Sequence, residues 1–442
     1  MEKLACKAVL TVLLAVLASC GGGSEGGSNG LSAGPSSSSL SLSKESSAGF
    51  RAIAAKDESS DGLTAPAADS LGGVASLRAQ GADVLSMVTQ RSAGRSLGPY
   101  ATLDTSNLGM PRTLVYDAKY GDLYASYPST YESVGLSAIV RFRSNGTTWK
   151  SSTLSIPGLR DIALASDRSV LAATDTSDHV HLIDLATFSI KSSHVSEAGI
   201  TDTGSNTEVG IAFTNDGKLW MPTGHGYGWN GVGFFDLRTL TFGNASPPCG
   251  SCYYGPYFAV ARGGSRLMVT QSASMSPAPP MLYMDTVNGT FKPNPIGLEF
   301  FYSQTSLSDS GDRFLMNGYM VYDRAFGSVG RVTQPSSGVR ASQLSPDGRR
   351  AYILSYAVEP GSSALPVVQV FDTSIEAGTQ VNLPLVGTFT IADLPGCQTS
   401  TYPMYSCYQP RMRVSADGNN LMILGDKKLI IAPIPKALSG SI

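Results

Sequence analysis

His179 and His181 lie two residues apart in a stretch of alternating apolar and polar character. Two imidazoles on one face of a strand have the spacing of a metal pair, but the sequence brings no third ligand into view beside them. Arginine supplies a second chemistry. Arg112, Arg160, Arg340 and Arg411, with Glu208 and Gln304, fall just before apolar strand-like segments, so they are candidates for the mouth of a central channel. Guanidinium groups converging there would hold a carboxylate or phosphate by paired hydrogen bonds, whereas Asp161 and Glu208 would neutralise them internally. Aromatic residues supply a third. Tyr127, Tyr131, His225, Tyr227, Trp229, Tyr253, Tyr254 and Tyr408 cluster in Gly- and Pro-rich loops, where rigid rings with polar tips suit a binding face.

No nucleophile, base and acid set stands out. The sequence therefore predicts no catalytic residue and no required cofactor, with a bound metal ion left open. Gly224 to Gly228 has the glycine content of a phosphate loop, yet it follows a strand and opens no helix.

The cysteines sort by position. Cys249, Cys252, Cys397 and Cys407 remain for an oxidising compartment, and the surroundings of two of them are similar: Ser251-Cys252-Tyr253-Tyr254-Gly255-Pro256 and Ser406-Cys407-Tyr408-Gln409-Pro410. Local disulfides, Cys249 to Cys252 and Cys397 to Cys407, are the simplest of three connectivities. A zinc site and a redox Cys-Gly-Ser-Cys are the alternatives. No His flanks either pair, which weighs against the metal, and no βαβ pattern surrounds them, which weighs against redox chemistry.

Positioning all of these groups falls to a recurring hairpin. Leu344-Ser-Pro-Asp-Gly-Arg-Arg-Ala-Tyr-Ile-Leu354 ends a strand, turns at Pro346-Asp347-Gly348 and starts a return strand. Variants recur at Asp117 to Gly121, Ser166 to Ser169, Asn215-Asp216-Gly217, Arg262-Gly263-Gly264, Asp309-Ser310-Gly311 and Ala416-Asp417-Gly418. A second mark, a hydrophobic residue followed by Asp, closes a third strand at Asp184, Asp236, Asp285, Asp323 and Asp372. In the first repeat Arg143 stands in that place. About seven copies at intervals of about 37 to 50 residues have the period of propeller blades. The expected fold is all-β: about seven four-stranded blades in a ring. The last repeat stops after its third strand, so Tyr100-Ala101-Thr102-Leu103 is expected to supply the missing one and latch the ring.

The hairpin of Leu344 to Ile353 and the segment Val370-Phe371-Asp372-Thr373 resemble the signatures of the YVTN or YncE-like β-propellers, a resemblance that runs from about Leu97 to Ala437 within an expected propeller domain of residues 97–442. The resemblance implies a fold more than a function. Lactonases and oxidoreductases also use propellers, so an enzyme with a channel site is the runner-up to a non-catalytic binding or scaffolding module.

At the N-terminus, Lys3 and Lys7 precede an apolar run from Ala8 to Leu17 that is too short for a membrane span, and Leu17-Ala18-Ser19-Cys20 follows. This resembles the lipobox of bacterial lipoproteins. The resemblance implies a signal peptide over residues 1–19, a lipid on Cys20 and, with Gly21 next, the outer membrane of the cell envelope. Residues 20–65 are rich in Gly, Ser and Ala, the composition of a flexible tether. Residues 66–96 form a lead-in of uncertain structure. A net charge of −2 with 15% charged residues gives no basic field, which argues against nucleic acid. The aromatic loop face is expected to bind a protein or glycan partner, and the protein is expected to be a monomer.

Overall fold

In the computed structural model, described residues span 100–439, apart from 129–135, 146–147, 201–209, 225–228, 246–251, 254–255, 272–280, 298–304, 317, 334–338, 356–365, 379–381, 392 and 395–409. Alternation of side chains along each segment and Asp/Gly turns between them dictate antiparallel strands.

The chain enters at β1 (Ala101–Asp104). Blade one is β2 (Leu114–Asp117), β3 (Asp122–Tyr127), β4 (Ala138–Ser144) and β5 (Trp149–Ser155). Blade two is β6 (Leu159–Leu164), β7 (Leu171–Asp175), β8 (His179–Asp184) and β9 (Ser189–Val195). Blade three is β10 (Ala212–Phe213), β11 (Lys218–Thr223), β12 (Trp229–Asp236) and β13 (Thr241–Asn244), with the short β14 (Cys252–Tyr253) beside β12. Blade four is β15 (Pro256–Val260), β16 (Arg266–Gln271), β17 (Leu282–Asp285) and β18 (Lys292–Pro293). Blade five is β19 (Thr305–Leu307), β20 (Arg313–Met316), β21 (Met320–Asp323) and β22 (Ser328–Arg331). Blade six is β23 (Ala341–Leu344), β24 (Arg350–Ser355), β25 (Val367–Asp372) and β26 (Leu385–Thr390). Blade seven is β27 (Arg411–Val414), β28 (Asn420–Leu424) and β29 (Lys428–Pro433), completed by β1 in the sheet order β1-β29-β28-β27.

This is a seven-bladed β-propeller, and the expected N-terminal latch is present: Ala101 pairs with Ile431 and Asp104 with Lys428. The Tyr100 and Thr102 hydroxyls both donate to Asp393, at 2.7 and 3.0 Å, fastening the strand to the segment after blade six.

The core lies at the seams between blades. Along β28, Leu421 and Ile423 pack towards blade six while Met422 and Leu424 pack towards blade one. The same division repeats around the ring, so each strand's two faces serve two neighbours. The Asp/Gly turns dock the blades together as well as reversing the chain. Gly264, at φ +70°, lies where a Cβ would come 2.5 Å from the Asn215 amide nitrogen of blade three, and that amide donates to the Gly264 carbonyl at 3.0 Å.

The third-strand aspartates all end their strands, and most cap the turn that follows. Asp184 accepts from the Thr187 amide at 2.7 Å and Asp372 from the Ser374 amide at 2.9 Å. Four of them stand opposite a cation at the start of the second strand: Lys218 with Asp236, Arg266 with Asp285, Arg313 with Asp323 and Arg350 with Asp372. Blade one carries the same pair with its signs exchanged. There Asp122 begins the second strand and Arg143 stands next to last in the third, with Nε 2.9 Å from Oδ1, which accounts for the absent Asp in that repeat.

Candidate functional site

Strand order fixes which groups share an end of the ring. Loops from second to third strands, and connections from one blade to the next, emerge together; the Asp/Gly turns occupy the opposite end.

Inner strands of all seven blades line an axial cavity of about 190 Å³. Its charged lining is Arg168, Arg262, Arg413 and Asp309. Arg262, in the Asp/Gly turn of blade four, reaches across the axis. Its Nη2 donates to the Val414 carbonyl of blade seven at 2.8 Å, Nη1 lies 3.3 Å from Asp309 Oδ2, and the guanidinium stands 5.9 Å from the Tyr116 ring of blade one. Arg168 lies 3.8 Å from Asp117. Asp309 retains some solvent contact inside the cavity, yet enclosure by protein raises its pKa against the opposing pull of Arg262 and Arg168. The sequence reading placed arginines before the inner strands and missed these: Arg168 and Arg262 follow their inner strands, and Arg413 lies within β27. The available signal was the turns themselves, since Arg168 and Arg262 occupy turn positions in blades two and four.

The arginines expected at the channel mouth are held in other ways. Arg112 and Arg411 are buried, and Arg411 Nε donates to the Arg112 carbonyl at 2.6 Å. Beside Arg112, the fully buried Asp161 accepts from Thr113 Oγ1 and from the amides of Ile162 and Gly210, tying blades one, two and three. Burial pushes the Asp161 carboxyl up, and Arg112 is the leading opposing influence. Arg160 donates to the Ile200 carbonyl and lies 3.8 Å from Asp178. The Arg340 amide donates to Leu354 at 2.8 Å, and the side chain is half-buried. Glu208 and Gln304 lie outside the described residues.

On the loop face, the structure joins two of the expected positions. Trp229, at the start of β12, pairs in register with Tyr253 of β14, and Asn230 pairs with Cys252. Two loops distant in sequence thereby become one small ladder at the outer edge of blade three. Tyr127 corrects the sequence reading. It is fully buried in the seam between blades seven and one, because it is the last residue of a strand whose alternate side chains point into that seam. Tyr131, His225, Tyr227, Tyr254, Tyr408, Cys249, Cys397, Cys407 and Cys20 lie outside the described residues.

Blade two supplies the third ligand that the sequence reading did not find. Asp175 ends β7, a tight turn follows, and His179 and His181 return on β8. Asp175, His179 and His181 bring one carboxylate oxygen and two imidazole nitrogens within 4.8 Å of one another. In an antiparallel hairpin, residues equidistant from the turn centre share a face, so Asp175 and His179 are neighbours across it. Treating the two histidines as a strand pair alone, without closing the hairpin, hid the aspartate.

No protein-family model matches the chain, and no curated protein matches it. Among solved structures it is similar to the crystal structure of the WD40 β-propeller domain of Doa1, at 12% identity and a TM-score of 0.47, over 77% of this chain and 98% of that one. The chain's own sheet order establishes the fold.

Proposed function

We propose that this propeller is a non-catalytic binding or scaffolding module of the cell envelope, tethered through a lipid on Cys20 and presenting its loop face to a protein or glycan partner. The observation that carries this reading is the register pairing of Trp229 with Tyr253, which fastens two aromatic-bearing loops into one ladder on the face where blade connections gather. Fixing loops before association lowers the ordering cost of binding. The low charge of the chain favours a neutral, hydrogen-bonding partner over a polyanion. The lipobox-like Leu17-Ala18-Ser19-Cys20 and the Gly/Ser-rich stretch after it support the anchor, and the YVTN-like hairpins fit a display platform.

The axial cavity favours the same reading over a channel enzyme. Its described lining holds one carboxylate, Asp309, already faced by Arg262, where metal- or water-activating sites need several. The test is quantitative capture of envelope proteins and glycans by the native protein and by a Trp229→Ala/Tyr253→Ala variant. A ligand bound by the native face should bind the double variant at least about tenfold more weakly, given the weight aromatic anchors carry in interfaces. Equal capture by both, or turnover of a lactone by the native protein, would overturn the reading.

A further inference from the structure

The face of β8 that carries Ile183 into the seam with blade one also carries His179 and His181 at its loop end. Asp175 meets both rings there. Its Oδ2 lies 3.1 Å from His179 Nδ1 and 3.0 Å from His181 Nε2, and the two rings stack with centroids 5.5 Å apart. The other carboxylate oxygen is held by the backbone: Oδ1 accepts from the amides of Ser177 and His179, both at 2.9 Å, and lies farther than Oδ2 from His179 Nδ1, at 3.3 Å. Those two bonds fix the rotation of the carboxylate and leave Oδ2 facing the imidazoles. Across the strand pair, Ser193 Oγ lies 2.8 Å from His181 Nδ1 and so presents Nε2 of that ring to the same point.

We propose that Asp175, His179 and His181 form a binding site for one divalent late first-row transition-metal ion, with zinc as the probe. Two imidazoles and one carboxylate are the donor set such ions take, and three protein ligands leave a coordination position open. Bonds of about 2.0 to 2.1 Å at tetrahedral angles separate neighbouring donors by roughly 3.3 Å. The carboxylate-to-imidazole separations of 3.1 and 3.0 Å therefore need only a few tenths of an ångström of opening, and the two imidazole nitrogens, within 4.8 Å of each other, come together by rotation of the more exposed His179 ring.

Without an ion, one carboxylate oxygen accepts from two ring N–H groups. With it, each ring turns a lone pair inward and carries its proton on the other nitrogen. His181 Nδ1–H then donates to Ser193 Oγ, the outer hydrogen bond that orients metal-bound histidines. The His179 proton moves to Nε2, so neither ring need change charge. Asp175 and His181 have side-chain exposures of 7% and 11%, while His179 stands at 33%, so the ion has an entry side and its open position faces outward. The turn between the ligands is held from outside as well: the Ser196 amide donates to the Asp178 carbonyl at 2.9 Å, and the Ile200 amide to Asp178 Oδ1 at 2.8 Å. The donors are thus placed before the ion arrives. This site shares no ligand with the Trp229 ladder, and the inference does not rest on the binding role proposed for it.

The experiment is equilibrium dialysis of the full-length protein against zinc, with metal counted per chain, followed by cobalt substitution. One zinc per chain is expected. His179→Gln and His181→Gln should abolish stoichiometric loading, and Ser193→Ala should weaken it by roughly tenfold. His194→Gln, whose ring packs on Phe235 in the neighbouring seam at 4.9 Å, should load like the native protein. The cobalt form should show ligand-field bands without thiolate charge transfer. Native-like loading of folded His179→Gln, a thiolate band, or no zinc above background would each overturn the proposal. His179 is the most exposed of the three, so its variant tests the site even where His181→Gln fails to fold.

Discussion

At the scale of single residues, buried carboxylates show how the ring uses charge. Asp161 lies beyond water and is held by one hydroxyl and two amides from three blades, the arrangement a buried carboxylate requires. Asp309 instead sits in the axial cavity with its pKa raised above 3.8, and enclosure is the main cause. A carboxyl with a raised folded pKa favours its protonated form, so its contribution to stability is greatest below the unfolded value and declines as pH rises through the folded one. Native protein should therefore lose melting temperature relative to Asp309→Asn as pH rises from 3.8 through that window, with a constant difference above it. Melting curves across pH check this. A difference that grows in favour of the native protein with rising pH would mean that the Arg262 pairing outweighs enclosure.

At the scale of elements, the Asp/Gly hairpin serves two purposes, and glycine substitutions separate them. Gly264 and Gly418 have nearly the same positive φ, +70° and +73°, but a Cβ at Gly264 would strike the Asn215 amide of the next blade while one at Gly418 meets nothing within 4 Å. Gly418→Ala should cost about 1 to 2 kcal/mol from backbone conformation alone. Gly264→Ala should add roughly 1 to 3 kcal/mol of overpacking. Denaturant midpoints of the two variants check the ranking, and equal losses would show that the turns do not dock the blades. The exchanged Asp122 and Arg143 of blade one belong to this scale too. A pattern search for a terminal Asp fails there, although the cross-strand pair it stands for is intact.

At the scale of the whole molecule, closure depends on the four residues of β1, which precede blade one in the sequence and pair with blade seven. Ala101 and Leu103 pack into the seam between blades seven and one, and Asp393 binds Tyr100 and Thr102. Those two hydroxyls hold the Asp393 carboxyl below its usual range, so this clasp is complete above the unfolded pKa and weakens as pH falls through the folded one. Deleting residues through Asp104 should cost on the order of 3 kcal/mol of apolar burial and expose the outer edge of β29. Thermal melts and sedimentation check both effects. An unchanged melting temperature in a monodisperse truncated ring would show that closure does not need the strand.

What the sequence determined by itself was the repeating unit. The Asp/Gly turn, the alternation on either side of it and the Asp closing the third strand are local constraints, and local constraints suffice to specify a four-stranded blade. The latch was also legible, because blade seven lacked a strand and one spare segment had the right pattern. Tertiary structure alone decided which side chains meet. Arg262 faces Asp309, Tyr116 and Val414 only because seven sheets converge on one axis, and Tyr127 is lost to a seam because it shares a strand face with Leu123 and Ala125 that packs on blade seven. Asp175 joins two histidines because a turn folds the chain back on itself. Side-chain chemistry is written residue by residue, but the distance between two groups is set by how sheets pack.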